Sequence, residues 1–334
     1  MVLYFVIAFY LRVLSFRTQA VQFSISTSSL TPISGKAPFT ISSNGALAET
    51  FFMVFGDLRS AEQVPLVVGH GGGGTHHYLK SLSQLTEENS IPIILYDQIG
   101  FGLSSHFPEQ AGNTSFWTVS VLAEQLHELI KYLGIEKGYN YLGHSFGTVI
   151  GIELSSQPAL RTGLRKLILW SPVASMKLAD EMFQKRREML PKGIRKKLEG
   201  HEANGTTDSK EYKQAMTASQ HHNFCRLEVW PDELLESLSY SSKDGDAALT
   251  LFGDSPLETK GSVQNWSALK TAYNITVPTL LLNGHYDWSD EAMTPLFWAI
   301  PFVRWVTFSN SSHLLHFEEK ERFMNMVSTW LTRD

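Results

Sequence analysis

"YLGHSFGTVIG", residues 141–151, decides the fold. An apolar strand end, Tyr141 and Leu142, runs into Gly143-His144-Ser145-Phe146-Gly147, and a helix-like stretch follows from Thr148. A serine hydroxyl is a weak nucleophile unless it is held exposed, beside a base, on a sharply turned backbone. Glycines two residues to either side remove the Cβ atoms that would collide as the helix packs back against the strand. This G-x-S-x-G in a strand-turn-helix setting is a nucleophile elbow, and it makes Ser145 the candidate nucleophile.

On both sides of the motif, short β-rich runs alternate with helical patterns, the rhythm of a mostly parallel sheet with crossover helices. Residues 50–58, 65–68, 91–96, 139–142, 166–170, 277–282 and 303–308 read as strands. Leu122, Leu126, Leu129, Ile130 and Leu133 fall at helical spacing, which predicts a helix over 116–133, and 317–331 reads as a closing helix. Between 176 and 261 the rhythm breaks into charged, helix-prone sequence without strong strands. The expected organisation is a core over 30–175 and 262–334 with an inserted helical cap over 176–261. The basic run 185–197 is surrounded by acidic residues and reads as a solvated helix face.

Composition narrows the function. The 334 residues carry a net charge of -5 and no Lys/Arg run interleaved with aromatics, so nucleic acid is not an expected partner. The single cysteine, Cys225, excludes an intramolecular disulfide and lacks the local signature of a cysteine nucleophile. The apolar run over 2–11 is too short to span a membrane and reads as a signal peptide over 1–20, cut near Ala20, although no basic residue precedes it. Sequons at Asn113, Asn204, Asn265, Asn274 and Asn310 point the same way, to a secreted glycoprotein. The alternative is a cytoplasmic chain whose first element is apolar.

A reactive serine needs a histidine base and an orienting carboxylate, supplied later in the order Ser, Asp, His. Asp287, just past the buried strand in "TLLLNGHYDWSD", is the candidate acid; Asp290, its rival, reads as a helix cap. His313, in the small polar loop after "VTF", is the candidate base, and His316 is the nearest competitor. "HGGGG", residues 70–74, lacks the Gly-Lys-Ser/Thr of a phosphate loop and suits an oxyanion hole instead, its amides at Gly71 or Gly72 acting with that of Phe146. His70, His76 and His77 match no metal-ligand pattern, and neither metal nor cofactor is expected.

"HGGGG", "YDQIGFGLSS" (96–105), "GHSFG" (143–147), "NGHYD" (283–287), "SSHLLHFEE" (311–319) and the cap stretch "NFCRLEVWPDELLESL" (223–238) together resemble the proline iminopeptidase family of serine peptidases. The resemblance covers most of 45–334 and implies an α/β-hydrolase with a helical cap that removes N-terminal residues or cleaves amino-acid amides. It also implies a triad of Ser145, Asp287 and His313, and a turn over 97–102 that braces the site. Two departures bear on substrate. Gly73 replaces the proline of the family's H-G-G-P-G, which is expected to loosen the loop while keeping its donors. Trp288 follows Asp287 where an ammonium-binding acid is common, and Pro256 stands near the position of another. Asp254 or Glu258 would have to compensate. An unpartnered buried ammonium costs several kcal/mol, so Trp288 favours a neutral or apolar acyl group. The resulting expectation is a serine hydrolase acting on a small molecule or short peptide through an acyl-enzyme. Its rivals are an esterase, lactonase or thioesterase, and a non-catalytic binding protein on the same fold.

Overall fold

The computed structural model describes residues 31–59, 63–240, 245–255 and 258–333. The leader and its expected cut near Ala20 lie outside them, as does Pro256. Among the described residues one sheet runs in the order β1-β2-β4-β3-β5-β6-β7-β8. Its strands are β1 Ile33–Thr40, β2 Leu47–Phe55, β3 Leu66–Gly69, β4 Ile93–Tyr96, β5 Tyr139–His144, β6 Leu164–Trp170, β7 Thr279–Gly284 and β8 Val303–Phe308. β1–β2 and β2–β4 pair antiparallel, and the remaining neighbours pair parallel.

Strands β3, β4, β5 and β7 are buried throughout, as strands covered on both faces must be, which is why they read as unbroken apolar runs. Alternation sends Val67, Ile94, Tyr141, Leu167 and Leu281 to one core. Val68, Leu95, Leu142, Ile168 and Leu282 go to the other. After the short α1 (Gln84–Asn89), α2 (Val119–Tyr132) and α3 (Phe146–Ser156) cover the first face. Helix α2 starts three residues later than the spacing predicts. Thr118 caps it by accepting from Val121 N–H at 3.3 Å, while Phe116 and Trp117 pack with Phe107 ahead of the cap.

Between β6 and β7 the chain forms α4 (Met176–Glu188), α5 (Lys192–Ala203), α6 (Lys210–Asn223), α7 (Asp232–Tyr240) and α8 (Gly245–Phe252). The first three residues of the basic run are paired within the fold: Lys185 with Glu291, Arg186 with Asp290 at 2.7 Å, and Arg187 with Glu202 at 3.0 Å. After α9 (Asp290–Ala299), the expected closing helix is split into α10 (Leu315–Glu318) and α11 (Lys320–Thr332). Glu319 breaks it at φ -128, ψ 56, and the two glutamates at the break turn back onto the preceding loop. Phe323 and Val327 of α11 complete the second core. Among the described residues no helix is long and apolar enough to cross a membrane.

Candidate active site

Four loops leave the same sheet edge. Gly69 lies opposite Gly143, His144 opposite Trp170, and Gly284 opposite Phe308, so the segments after β3, β5, β7 and β8 emerge together. Ligands of open parallel sheets bind beyond the carboxyl ends of the strands, and this is that edge.

Ser145 occupies φ 52, ψ -117, a conformation that costs a non-glycine residue about 1–3 kcal/mol. The strain is held from both sides. Ser145 N–H donates to Trp170 O at 2.8 Å, and its carbonyl accepts from Thr148 N–H at 2.8 Å and Thr148 Oγ1–H at 2.5 Å. A Cβ on Gly143 would lie 2.3 Å from Gly147 O, and one on Gly147 would lie 2.4 Å from Gly69 O. Both glycines are therefore required for the helix to return against the strand.

Asp287 is fully buried and accepts from Trp288 N–H at 2.7 Å, Ser289 Oγ–H at 2.9 Å and His313 Nδ1–H at 3.0 Å. Burial pushes its carboxyl up, but the His313 ring and these hydrogen bonds outweigh it and hold the group below its ordinary value. An ionised carboxylate only accepts, so a proton sits on His313 Nδ1, and in the neutral ring that leaves Nε2 as the acceptor. Ser145 and His313 line one cavity of about 90 Å³, with Gly71, Gly72, Phe224, Leu234, Leu238 and Trp288. The Trp288 ring stacks on His313 with centroids 4.0 Å apart and planes at 24°.

The rival residues are occupied elsewhere. His316 donates from Nε2–H to Tyr78 O at 2.8 Å, and burial lowers it to about 3. Asp290 pairs with Arg186 at the start of α9. Cys225 is buried, with its thiol pushed up to about 12 by burial. His76 Nδ1 meets Asp97 at 3.0 Å, His77 Nδ1 meets Thr75 Oγ1 at 2.7 Å, and His70 Nε2 accepts from Gln98 N–H at 3.0 Å. The His76 and His70 contacts brace the 97–102 turn against the glycine loop, and no metal-ligating group of three or more forms among the described residues.

Three expectations change. Gly71 N–H donates to Tyr78 Oη at 2.8 Å, so this amide is taken, and the candidate oxyanion donors are the amides of Gly72 and Phe146. Phe146 opens α3, where the first amides have no helical acceptor. Second, Gly73 sits at φ 71 in a turn closed by Gly74 N–H on Gly71 O at 3.1 Å. Proline is fixed near φ -65°, so the loop is not a loosened version of a proline-bearing one; it follows a path closed to proline. Third, Asp254 and Glu258 are exposed and do not line this cavity; Glu258 faces Lys260 at 3.4 Å.

Residues that motif reading passed over complete the frame. Glu318 accepts from Ser312 N–H at 2.8 Å and Glu319 accepts from Ser311 Oγ–H at 2.7 Å, pinning the His313 loop. A Cβ on Gly284 would lie 2.0 Å from Ser312 O, which explains the glycine ahead of Asp287. The two glutamates were legible only as the end of "SSHLLHFEE"; Tyr78 carried no local signal.

Residues 64–320 match the family described by the α/β hydrolase fold, so the chain belongs to the α/β-hydrolases. It is similar to the proline iminopeptidase of Heyndrickxia coagulans, 28% identical over 270 residues that cover 80% of this chain and 90% of that protein. The solved structure of VinJ is 33% identical with a TM-score of 0.81, covering 89% of this chain and 98% of VinJ. That of the proline iminopeptidase from Mycobacterium smegmatis is 29% identical with a TM-score of 0.79, covering 89% and 97%. Within its family the chain is a proline iminopeptidase-like hydrolase.

Proposed function

We propose that the chain is a serine hydrolase that cleaves amides of small apolar amino acids, such as prolyl amides, through an acyl-enzyme. The observation that carries this reading is the buried Asp287–His313 pair opening onto the same cavity as the strained Ser145. Ser145 Oγ attacks the carbonyl carbon while His313 Nε2 takes its proton. The Gly72 and Phe146 amides meet the developing oxyanion, each donor lowering the barrier by about 3 kcal/mol. His313 then protonates the leaving amine, and water repeats the sequence on the acyl-enzyme. Helix α7 and Phe224, just past α6, act as the lid, since Phe224, Leu234, Ser237 and Leu238 supply the cavity wall. At about 90 Å³ the cavity is far below the about 300–1,000 Å³ of drug-sized sites and suits a small acyl group.

A second reading, an ester or lactone substrate with a neutral acyl group, is favoured by the lining itself. No carboxylate faces this cavity among the described residues, and Trp288 occupies the wall beside His313. Comparing kcat/KM for proline and alanine arylamides with that for short p-nitrophenyl esters separates the two. Arylamide turnover that disappears in Ser145→Ala supports the first reading, and ester turnover alone supports the second. Inactivity toward both in folded protein contradicts each of them.

We further propose passage through the secretory route. Asn113, Asn204, Asn265 and Asn310 are exposed and Asn274 is half-buried, which supports glycan attachment. Protein expressed with its leader in a eukaryotic secretory host should lose mass on endoglycosidase treatment; an unchanged mass counts against it.

A further inference from the structure

We propose that Tyr78 and His144 form a positioning bridge that fixes the oxyanion loop relative to the backbone of His313; the proposal rests on the serine-hydrolase reading above. The bridge is a directed chain of buried hydrogen bonds. His144 Nε2 lies 3.1 Å from His313 O, and a carbonyl only accepts, so Nε2 carries the proton. Burial lowers His144 well below its ordinary value, so the ring is neutral and Nδ1 is bare. Nδ1 lies 2.6 Å from Tyr78 Oη and must accept its proton. The tyrosine oxygen in turn accepts from Gly71 N–H at 2.8 Å. Every proton in the chain is thereby assigned.

Both side chains are all but inaccessible, Tyr78 at 3% and His144 at 2% exposure. They are also held from outside the chain of bonds. Trp170 packs on His144 with centroids 4.0 Å apart and donates its own Nε1–H to His313 O at 3.1 Å. His316 Nε2–H holds the Tyr78 carbonyl. Gly71 is next to the amide at Gly72, and a Cβ on Gly71 would lie 3.1 Å from Ser145 Cβ. One end of the bridge therefore sets the glycine loop that carries the Gly72 amide, and the other sets the base. Neither side chain exchanges a proton with substrate in this scheme. Their work is to hold distances, and a misplacement of about 1 Å at such a site can cost about 10²-fold in rate.

The test is the second-order rate of labelling by a fluorophosphonate, in which Ser145 Oγ displaces fluoride from phosphorus with the same base and oxyanion donors. Wild type, Tyr78→Phe, His144→Leu and His144→Gln are compared, each shown to be folded by circular dichroism. Tyr78→Phe and His144→Leu should be slowed by about tenfold or more. His144→Gln offers one donor and one acceptor and should recover at least about a third of the wild-type rate, a rescue that a purely space-filling role would not produce. Tyr78→Phe within about twofold of wild type, or equal loss in His144→Gln and His144→Leu, would overturn the bridge while leaving Ser145 as nucleophile. Folded wild type that fails to label overturns the serine-hydrolase reading and the bridge with it.

Discussion

Ser145 is held in its conformation by Trp170 on one side and Thr148 on the other, and the neighbouring glycines have no freedom to change. The same argument reaches Gly73. Gly73→Pro would restore the residue found in the family's H-G-G-P-G, yet φ 71 excludes it. The expected outcome is a fall in kcat of about tenfold or more in folded protein, because Gly72 N–H is turned away from the oxyanion; unchanged kcat would show that the turn re-forms. Asp287→Asn puts an amide where a full charge now orients His313 Nδ1–H. A drop in kcat of about 10⁴ is expected, with binding less affected. At this scale the positions most legible in the sequence are those at strand ends, Ser145, Asp287 and His313, which the fold brings to the same end of the sheet. The least legible are Tyr78 and His144, whose roles exist only because 66 positions of chain fold back to place them 2.6 Å apart.

Helix α7 is tied to the segment that follows the glycine loop. Thr75 N–H donates to Ser237 Oγ at 2.9 Å, His77 Nε2 meets Glu236 at 3.3 Å, and Tyr240 stacks on His77 with centroids 5.0 Å apart. Ser237→Ala leaves a buried amide unpaired, a loss of about 1–3 kcal/mol. A lower urea midpoint is expected together with a raised KM, since Leu234 and Leu238 of the same helix line the cavity; a raised midpoint or an unchanged KM would contradict this link. Elements were readable where periodicity was pure. Strand β8 lies at the bounds that "VRWVTF" suggests, because Phe308 ends it at a polar loop. Strand β1, "ISGKAPFT", is faint in the sequence because its inward face carries the small Gly35 and Ala37 before Phe39, and Pro38 interrupts the outward one. The closing helix has no sequence signal for its break, which depends on carboxylates reaching back to the 310–312 loop, a tertiary interaction that local propensity does not encode.

The molecule as a whole stores neutral histidines in its interior, and this fixes its response to acid. Burial lowers His316 from 6.5 to about 3 and, with neighbouring His76, lowers His77 from 6.5 to about 4. The unfolded chain therefore takes up these protons first. The stability they contribute is complete above about pH 6.5 and is lost as pH falls toward 4 and then 3, at up to about 1.4 kcal/mol per pH unit for each. Asp287 and Asp97, held below their ordinary value, add a further loss below about pH 4. Urea midpoints should accordingly be lower at pH 5 than at pH 7, and a flat or rising midpoint would count against this charge distribution. The central claim, that strand-end loops assemble one reactive serine, is tested most directly by peptide mapping after fluorophosphonate treatment of the folded protein. The expected result is a single phosphonyl adduct on Ser145, absent from Ser145→Ala and strongly slowed in His313→Ala. An adduct on another residue, or none at all, would contradict it.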